Sequence, residues 1–208
     1  MPAPDFDLYL ITDRRQTAGR DLLWVLEQAL AGGAKAVQLR EKDLSGHDLF
    51  SLAEKCRKLC ESYRAALLIN DRVDVAMAMN AAGVQLGAVS LPVPAARQLL
   101  GDQKLIGVST HSLAEARAAG DSGADFIVFG PVYFTPSKAS YGAPQGVAAL
   151  KEIVENSSLP VYAVGGIKAA AVDEVKHTGI RGVALISAVM SARNPKAATE
   201  ELLALLGR

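Results

Sequence analysis

Aromatic residues are scarce in this chain of 208 residues: five Phe, five Tyr and one Trp. Its core must therefore be built mainly from aliphatic side chains and alanine, and half of the residues are apolar, enough to bury a large interior. An excess of either charge is also lacking. The 22 basic residues balance 22 acidic ones, which removes the electrostatic footprint of a nucleic-acid-binding protein. Cys56 and Cys60 are the two cysteines, too few for a disulfide framework. Four apart on a helical stretch, they are poorly directed for a bridge and suit apolar packing in a reducing cytosol. No apolar run reaches membrane-spanning length, and residues 1–7 lack the apolar centre of a signal peptide, so a cytoplasmic protein with no membrane partner is expected. No Pro/Ser/Gly linker or low-complexity run interrupts the sequence, so residues 1–208 are expected to form a single domain. Nothing in the sequence specifies an oligomeric state.

What is present is a strand followed by a helix, many times over. Strand candidates fall at 8–12, 36–40, 66–70, 83–86, 105–108, 126–129, 161–164 and 182–186. They are short and mostly apolar on both faces, the pattern of strands in a parallel sheet covered on both sides. Between them lie helical spacings: Leu22, Leu23, Leu26 and Leu30; Leu49, Leu52, Cys56, Leu59 and Cys60; Ala198, Leu202, Leu205 and Leu206. Gly32-Gly33, Gly83, Gly123 and Gly179 stand where a helix would stop, as left-handed caps. Eight such units predict a (β/α)8 barrel. The competing architecture, an open doubly wound sheet, calls for a GxGxxG turn after its first strand, and residues 12–15 read Thr-Asp-Arg-Arg.

A barrel places its chemistry at the carboxyl ends of its strands. Alternation along the second strand puts Gln38, Arg40 and Lys42 on one face, and cations turned inward call for an anionic partner: a bound ligand, or Glu41 or Asp71. Asn70-Asp71 after the third strand either caps the next helix or, through Asp71, holds a Mg2+. Ser109 is polar and inward on the fifth strand. His111 either solvates a helix start or acts as an acid–base group. After the sixth strand, Thr135, Ser137 and Lys138 place two hydroxyls and an ammonium within four positions, a set suited to phosphate or pyrophosphate. Gly165-Gly166 after the seventh strand and Ser187-Ala188 after the eighth expose backbone N–H groups at adjacent helix starts, where a phosphate is received in many barrels.

Seven segments, LYLITD (8–13), VQLREK (37–42), LINDRVD (68–74), IGVSTHS (106–112), ADFIVFGPVYFTPSK (124–138), LPVYAVGGI (159–167) and GVALISA (182–188), resemble the thiamine phosphate synthase family over nearly the whole chain. The resemblance implies a transferase of thiamine biosynthesis. It would couple a pyrimidine diphosphate to a thiazole phosphate and release pyrophosphate with Mg2+. It further implies that Gln38, Arg40, Lys42 and Asn70 contact the pyrimidine diphosphate, that Asp71 is a Mg2+ ligand, and that Ser109, Thr135, Ser137 and Lys138 contact the pyrophosphate. Gly166, Ile186 and Ser187 would cradle the thiazole phosphate.

The family usually carries His-Leu-Gly-Gln-Glu/Asp-Asp after the fourth strand, the last Asp being a second Mg2+ ligand. Residues 85–90 here read Gln-Leu-Gly-Ala-Val-Ser. Ser90 thus stands in place of a carboxylate, and a weaker Mg2+ site is expected. That departure resembles the sister branch, the thiazole tautomerases, in which His111 would be the acid–base group. A third possibility is a catalytically idle thiazole-phosphate binder.

Overall fold

The computed structural model describes residues 3–135 and 143–207. Eight strands run β1 (Leu8–Ile11), β2 (Ala36–Leu39), β3 (Ala66–Asn70), β4 (Gly83–Leu86), β5 (Leu105–Thr110), β6 (Phe126–Phe129), β7 (Val161–Val164) and β8 (Gly182–Leu185). All neighbours are parallel, and β1 pairs with β8 (Leu8 beside Val183), so the sheet closes on itself. This is the expected (β/α)8 barrel, and closure excludes the open sheet. β1, β2 and β8 each end one residue earlier than the sequence pattern suggests. β5 runs two residues further, which brings Ser109 and Thr110 into the ladder opposite Val128 and Phe129.

Between and after the strands lie α1 (Leu22–Ala31), α2 (Gly46–Ser62), α3 (Val73–Ala78), α4 (Val93–Leu100), α5 (Leu113–Asp121), α6 (Gly146–Asn156), α7 (Ala169–Lys176), α8 (Ser187–Met190) and α9 (Pro195–Leu206). Four helices start at side-chain caps. Asp21, Ser45, Ser112 and Asn194 each accept the N–H of the residue three further on, which satisfies an otherwise orphaned donor. The helices bury one stripe each against the outer face of the sheet; in α1 it is Leu22, Val25, Leu26, Ala29 and Leu30. Leu205 departs from the sequence pattern and is largely exposed. Cys56 and Cys60 are buried, unbridged thiols on the inner side of α2. Burial pushes both upward from the ordinary thiol range, Cys60 to about 12.

Strand alternation divides the apolar residues into two cores. Outward side chains such as Leu10, Val37, Leu39, Ile69, Ile106 and Leu185 pack under the helices. Inward ones fill the barrel: Tyr9, Ile11, Ala36, Leu68, Leu105, Phe126, Val128, Tyr162 and Ala184, with Phe6 from the preceding segment. Four of the few aromatics are concentrated here. Phe6, Tyr9, Phe126 and Tyr162 meet with ring centroids 5.0–6.3 Å apart, and the Tyr162 hydroxyl donates to the Phe6 carbonyl at 2.6 Å. The plug seals the amino-terminal end of the barrel. Beneath the helices, Arg97 pairs with fully buried Asp125 at 2.6 Å, whose carboxylate also takes the Ile106 N–H at 2.7 Å.

Two glycines differ from their sequence reading: Gly32 ends α1 at φ −80° and leaves the left-handed turn to Gly33 at φ +102°, and Gly83 is no cap at all. Gly123 has φ +87° with open space around it, as a helix cap should. Gly83, read as a cap, lies inside β4 with no left-handed φ. A Cβ there would stand 2.1 Å from the Leu105 carbonyl oxygen, so Gly83 is required by close strand approach. Gly83→Ala is therefore expected to cost about 3 kcal/mol by overpacking against backbone, and Gly123→Ala about 1 kcal/mol from its φ alone. Urea denaturation midpoints compare the two; equal shifts would contradict the distinction.

Candidate functional site

The carboxyl-terminal end of the barrel begins where the inward face turns polar. Gln38 on β2, Asn70 on β3, Gln85 on β4 and Ser109 on β5 share the inward alternation with the apolar fill below them, and Asn70 stands level with Gln85 across the β3–β4 ladder. Gln85 donates to the Ser109 hydroxyl at 3.1 Å. Its own Oε1 is buried without a partner among the described residues. The Tyr9 hydroxyl lies deeper, near Gln38 but without a hydrogen bond of normal geometry, and burial pushes its phenol upward. Four consecutive strands thus give the mouth of the barrel a polar lining.

Above that lining sits Asp71. Its φ of +59° is left-handed, a conformation Asp tolerates better than most residues and one that often accompanies function. The capping role open in the sequence is not taken up, because Arg72 is the residue before α3 and no side chain caps that helix. Instead Asp71 accepts from the Asn70 amide at 2.7 Å, stands 3.7 Å from Lys42 Nζ, and accepts a hydrogen bond from the Ser90 hydroxyl. Ser90 Oγ in turn accepts the Gly87 N–H at 2.7 Å. Residue 90, though 19 positions away in sequence, therefore stands in space beside the one candidate metal carboxylate. Lys42 is half-exposed, and an ion pair that open to water contributes little, so Lys42 is not committed to Asp71.

Arg40 is partly buried at the end of β2, where its N–H donates to Thr12 Oγ1 at 2.9 Å. Its guanidinium has no ion pair among the described residues. Glu41, the other carboxylate considered from sequence, is turned away: it is buried and binds Arg14 at 2.9 Å. A cleft of about 210 Å³ runs between Asp13, Arg15, Arg40, Glu41, Lys42 and Asp43. A larger one, about 420 Å³, opens at the opposite end beside Asp5, Gly32 and Lys35. That end holds none of the sequence candidates.

The loop after β6 joins the rest of the rim. Val132 and Tyr133 donate to the carbonyls of Val164 and Gly165 at 2.8 and 3.0 Å, extending the sheet onto the glycine turn. Both glycines are required there. Their φ values are +99° and +67°, and a Cβ would stand 2.5 Å from Pro131 at Gly165 and 2.7 Å from Tyr133 at Gly166. Among the described residues no acceptor takes the N–H of Gly165, Gly166, Ser187 or Ala188. β7 and β8 are paired (Val164 beside Ala184), so the two sets of amides are neighbours. Ile186 immediately precedes α8, and Ser187 is exposed at its first position. Thr135 Oγ1 is buried without a partner among the described residues. Ser137 and Lys138 lie outside the described residues. His111 is exposed, and its Nδ1–H donates to the Gly130 carbonyl.

Two functional neighbours escape the motif reading. Gln85 faces inward by the same alternation that places Asn70. Arg14 reaches Glu41 across 27 positions of sequence, a relation no local spacing reveals. For a metal, the available donors are the Asp71 carboxylate and the Ser90 hydroxyl. Among the described residues no three His, Cys, Asp or Glu side chains gather to hold an ion. That set fits Mg2+, which accepts a single protein carboxylate when water and phosphate oxygens supply the rest.

Fold and rim together define a (β/α)8 barrel with cations, hydroxyls and free amides gathered at the carboxyl ends of its strands. The sequence model of thiamine monophosphate synthase matches residues 8–189. A Geobacter sulfurreducens protein is 53% identical over 206 residues, covering 99% of this chain and 97% of its own. The thiamine-phosphate synthase of Clostridium novyi is 41% identical, covering 95% and 97%. The solved structure of thiamine phosphate pyrophosphorylase from Pyrococcus furiosus superposes with a TM-score of 0.88 at 39% identity, covering 97% of this chain and 96% of that one. The chain belongs to the thiamine monophosphate synthase family. No helix among the described residues is long and apolar enough to cross a membrane.

Ser90→Asp would set a second carboxylate against Asp71. Without metal the two repel; with Mg2+ they chelate. Thermal unfolding of the variant is expected to become Mg2+-dependent, with affinity on the order of tenfold above the parent. Identical Mg2+ titrations of variant and parent would contradict the placement.

Proposed function

We propose that this protein is a thiamine phosphate synthase, joining 4-amino-5-hydroxymethyl-2-methylpyrimidine diphosphate to thiazole phosphate with release of pyrophosphate. The observation that carries the reading is the gathering of Arg40, Lys42 and Asp71 on the same rim as the free amides of Gly166 and Ser187. One group of residues suits a diphosphate and the other a phosphate ester, as two phosphorylated heterocycles require.

In the reaction the bond between the pyrimidine methylene carbon and the diphosphate oxygen breaks, and the electron pair leaves with pyrophosphate. The thiazole nitrogen then supplies its lone pair to that carbon. No strong base is needed; the requirement is neutralisation of charge growing on the leaving group. Arg40 and Lys42 meet that requirement, and the family resemblance adds Lys138 as a further cation. Gln38 and Asn70 orient the pyrimidine diphosphate from the polar lining. Ser109, Thr135 and Ser137 donate hydroxyls to the pyrophosphate, and the unpartnered Thr135 Oγ1 supports that role. The amides of Gly166 and Ser187, with Ile186 at the turn, hold the thiazole phosphate. Asp71 would hold Mg2+, which supplies further positive charge to the leaving group when bound. The electrostatics are strongest where water is excluded, above the buried Gln38 and Gln85.

A second reading, the thiazole tautomerase, has one observation in its favour: the Gly130 carbonyl holds Nδ1 of the exposed His111 and leaves Nε2 to meet a substrate. It leaves Arg40 and Lys42 without a partner to grip. A coupling assay with both substrates separates the readings. The synthase is expected to require Mg2+ and to lose about 100-fold in kcat/KM with Arg40→Ala, while His111→Asn costs less than about tenfold. Metal-free aromatisation of carboxythiazole phosphate that His111→Asn abolishes, with no coupling, would establish the tautomerase instead. Saturable thiazole-phosphate binding with neither reaction would leave an idle binder.

A further inference from the structure

Residues 40–43 alternate in charge, Arg-Glu-Lys-Asp, and all four line the same cleft. Opposite charges this close would ordinarily pair with one another, and a cation so paired is a poor anion ligand. The structure keeps them apart. Arg14, in the turn after β1, takes both carboxylates. Its Nη1 binds Glu41 Oε2 at 2.9 Å, its backbone N–H binds Glu41 Oε1 at 3.1 Å, and its two terminal nitrogens grip both oxygens of Asp43 at 2.6 Å. Arg15 adds a third bond to Asp43 at 2.7 Å. The Asp13 side chain holds the turn by accepting from Arg15 N–H at 3.0 Å and the Gln16 amide at 2.6 Å.

We propose that Arg14 is a positioning residue for the diphosphate site: by sequestering Glu41 and Asp43 it keeps Arg40 and Lys42 available to pyrophosphate. The inference rests on the reading of this rim as the diphosphate site. Glu41 makes the case sharpest. Its side chain is 3% exposed, and a buried carboxylate that lost Arg14 would turn to the nearest remaining cation rather than stay unpaired. With Arg15 engaged by Asp43 at 2.7 Å, the cations left in that cleft are Arg40 and Lys42. The bidentate grip on Asp43 also holds that carboxyl well below its usual range, the guanidinium of Arg14 being the largest cause.

The test is calorimetric titration with inorganic pyrophosphate in Mg2+-containing buffer. Arg14→Met is expected to weaken binding by about tenfold, since the freed carboxylates compete for the same cations. The triple variant Arg14→Met, Glu41→Gln, Asp43→Asn lacks the whole clamp, yet is expected to bind within about twofold of the parent because the competitors are gone. A merely structural role gives no such recovery. In the coupling assay, Arg14→Met raises KM for the pyrimidine diphosphate and leaves KM for the thiazole phosphate in place. Folded Arg14→Met with parental affinity, or a folded triple variant without recovery, overturns the proposal. Should Arg14→Met not fold, Glu41→Gln with Asp43→Asn decides: affinity equal to or above the parent supports it, and a loss overturns it. A parent protein that binds no pyrophosphate removes the diphosphate reading itself, and this inference with it.

Discussion

A closed ring of eight parallel strands must fill its own interior, and that requirement organises the rest of the molecule. Inward side chains cannot be left without partners, so each layer commits to a chemistry. At the amino-terminal end the commitment is to four aromatic rings in mutual contact, sealed by the Tyr162–Phe6 hydrogen bond. At the carboxyl end it passes to Gln38, Asn70, Gln85 and Ser109, polar groups on adjacent strands. Buried amides and hydroxyls are costly unless they bond to something. Gln85 Oε1 and Thr135 Oγ1 have nothing among the described residues to bond to, and both belong to the open end.

Charge is managed at that end by distance rather than by number. Asp71 keeps a weak, exposed contact to Lys42 and is otherwise held by neutral donors, Asn70 and Ser90. Glu41 and Asp43 are engaged by Arg14 from the turn after β1. With a carboxylate at position 90 the sector would hold one more negative charge, to be balanced by metal. With serine, Asp71 receives a hydrogen bond in place of a charge. At position 90, where the resemblance calls for a carboxylate, the hydroxyl of serine bonds Asp71 instead.

Much of this was legible in sequence because strands report their own faces. Period-two alternation placed Gln38 inward, and Ser109 read as inward and polar. The alternation also marked Arg40 and Lys42 as cations in want of a partner. The same rule fails just past a strand end: β2 stops at Leu39, so Arg40 is only half-buried and Lys42 is exposed. Gly83 was misread because a helix-capping glycine and a strand glycine before an apolar run look alike locally; only the Leu105 carbonyl distinguishes them. Whether Asp71 would cap a helix or face the rim depended on a left-handed φ that no neighbouring residue announces. Arg14 was invisible for another reason. Its partners are 27 and 29 positions away, joined by adjacency of β1 and β2 rather than by any repeat.

Family membership and geometry meet in one spatial claim, that the diphosphate and the phosphate ester are held on the same rim by different residues. A crystal structure of the protein with thiamine phosphate and pyrophosphate bound tests it most directly. The expected density places pyrophosphate against Arg40 and Lys42 beside Asp71, with the ester phosphate on the amides of Gly166 and Ser187. Either ligand seated at the aromatic end of the barrel, near Asp5 and Lys35, would contradict it.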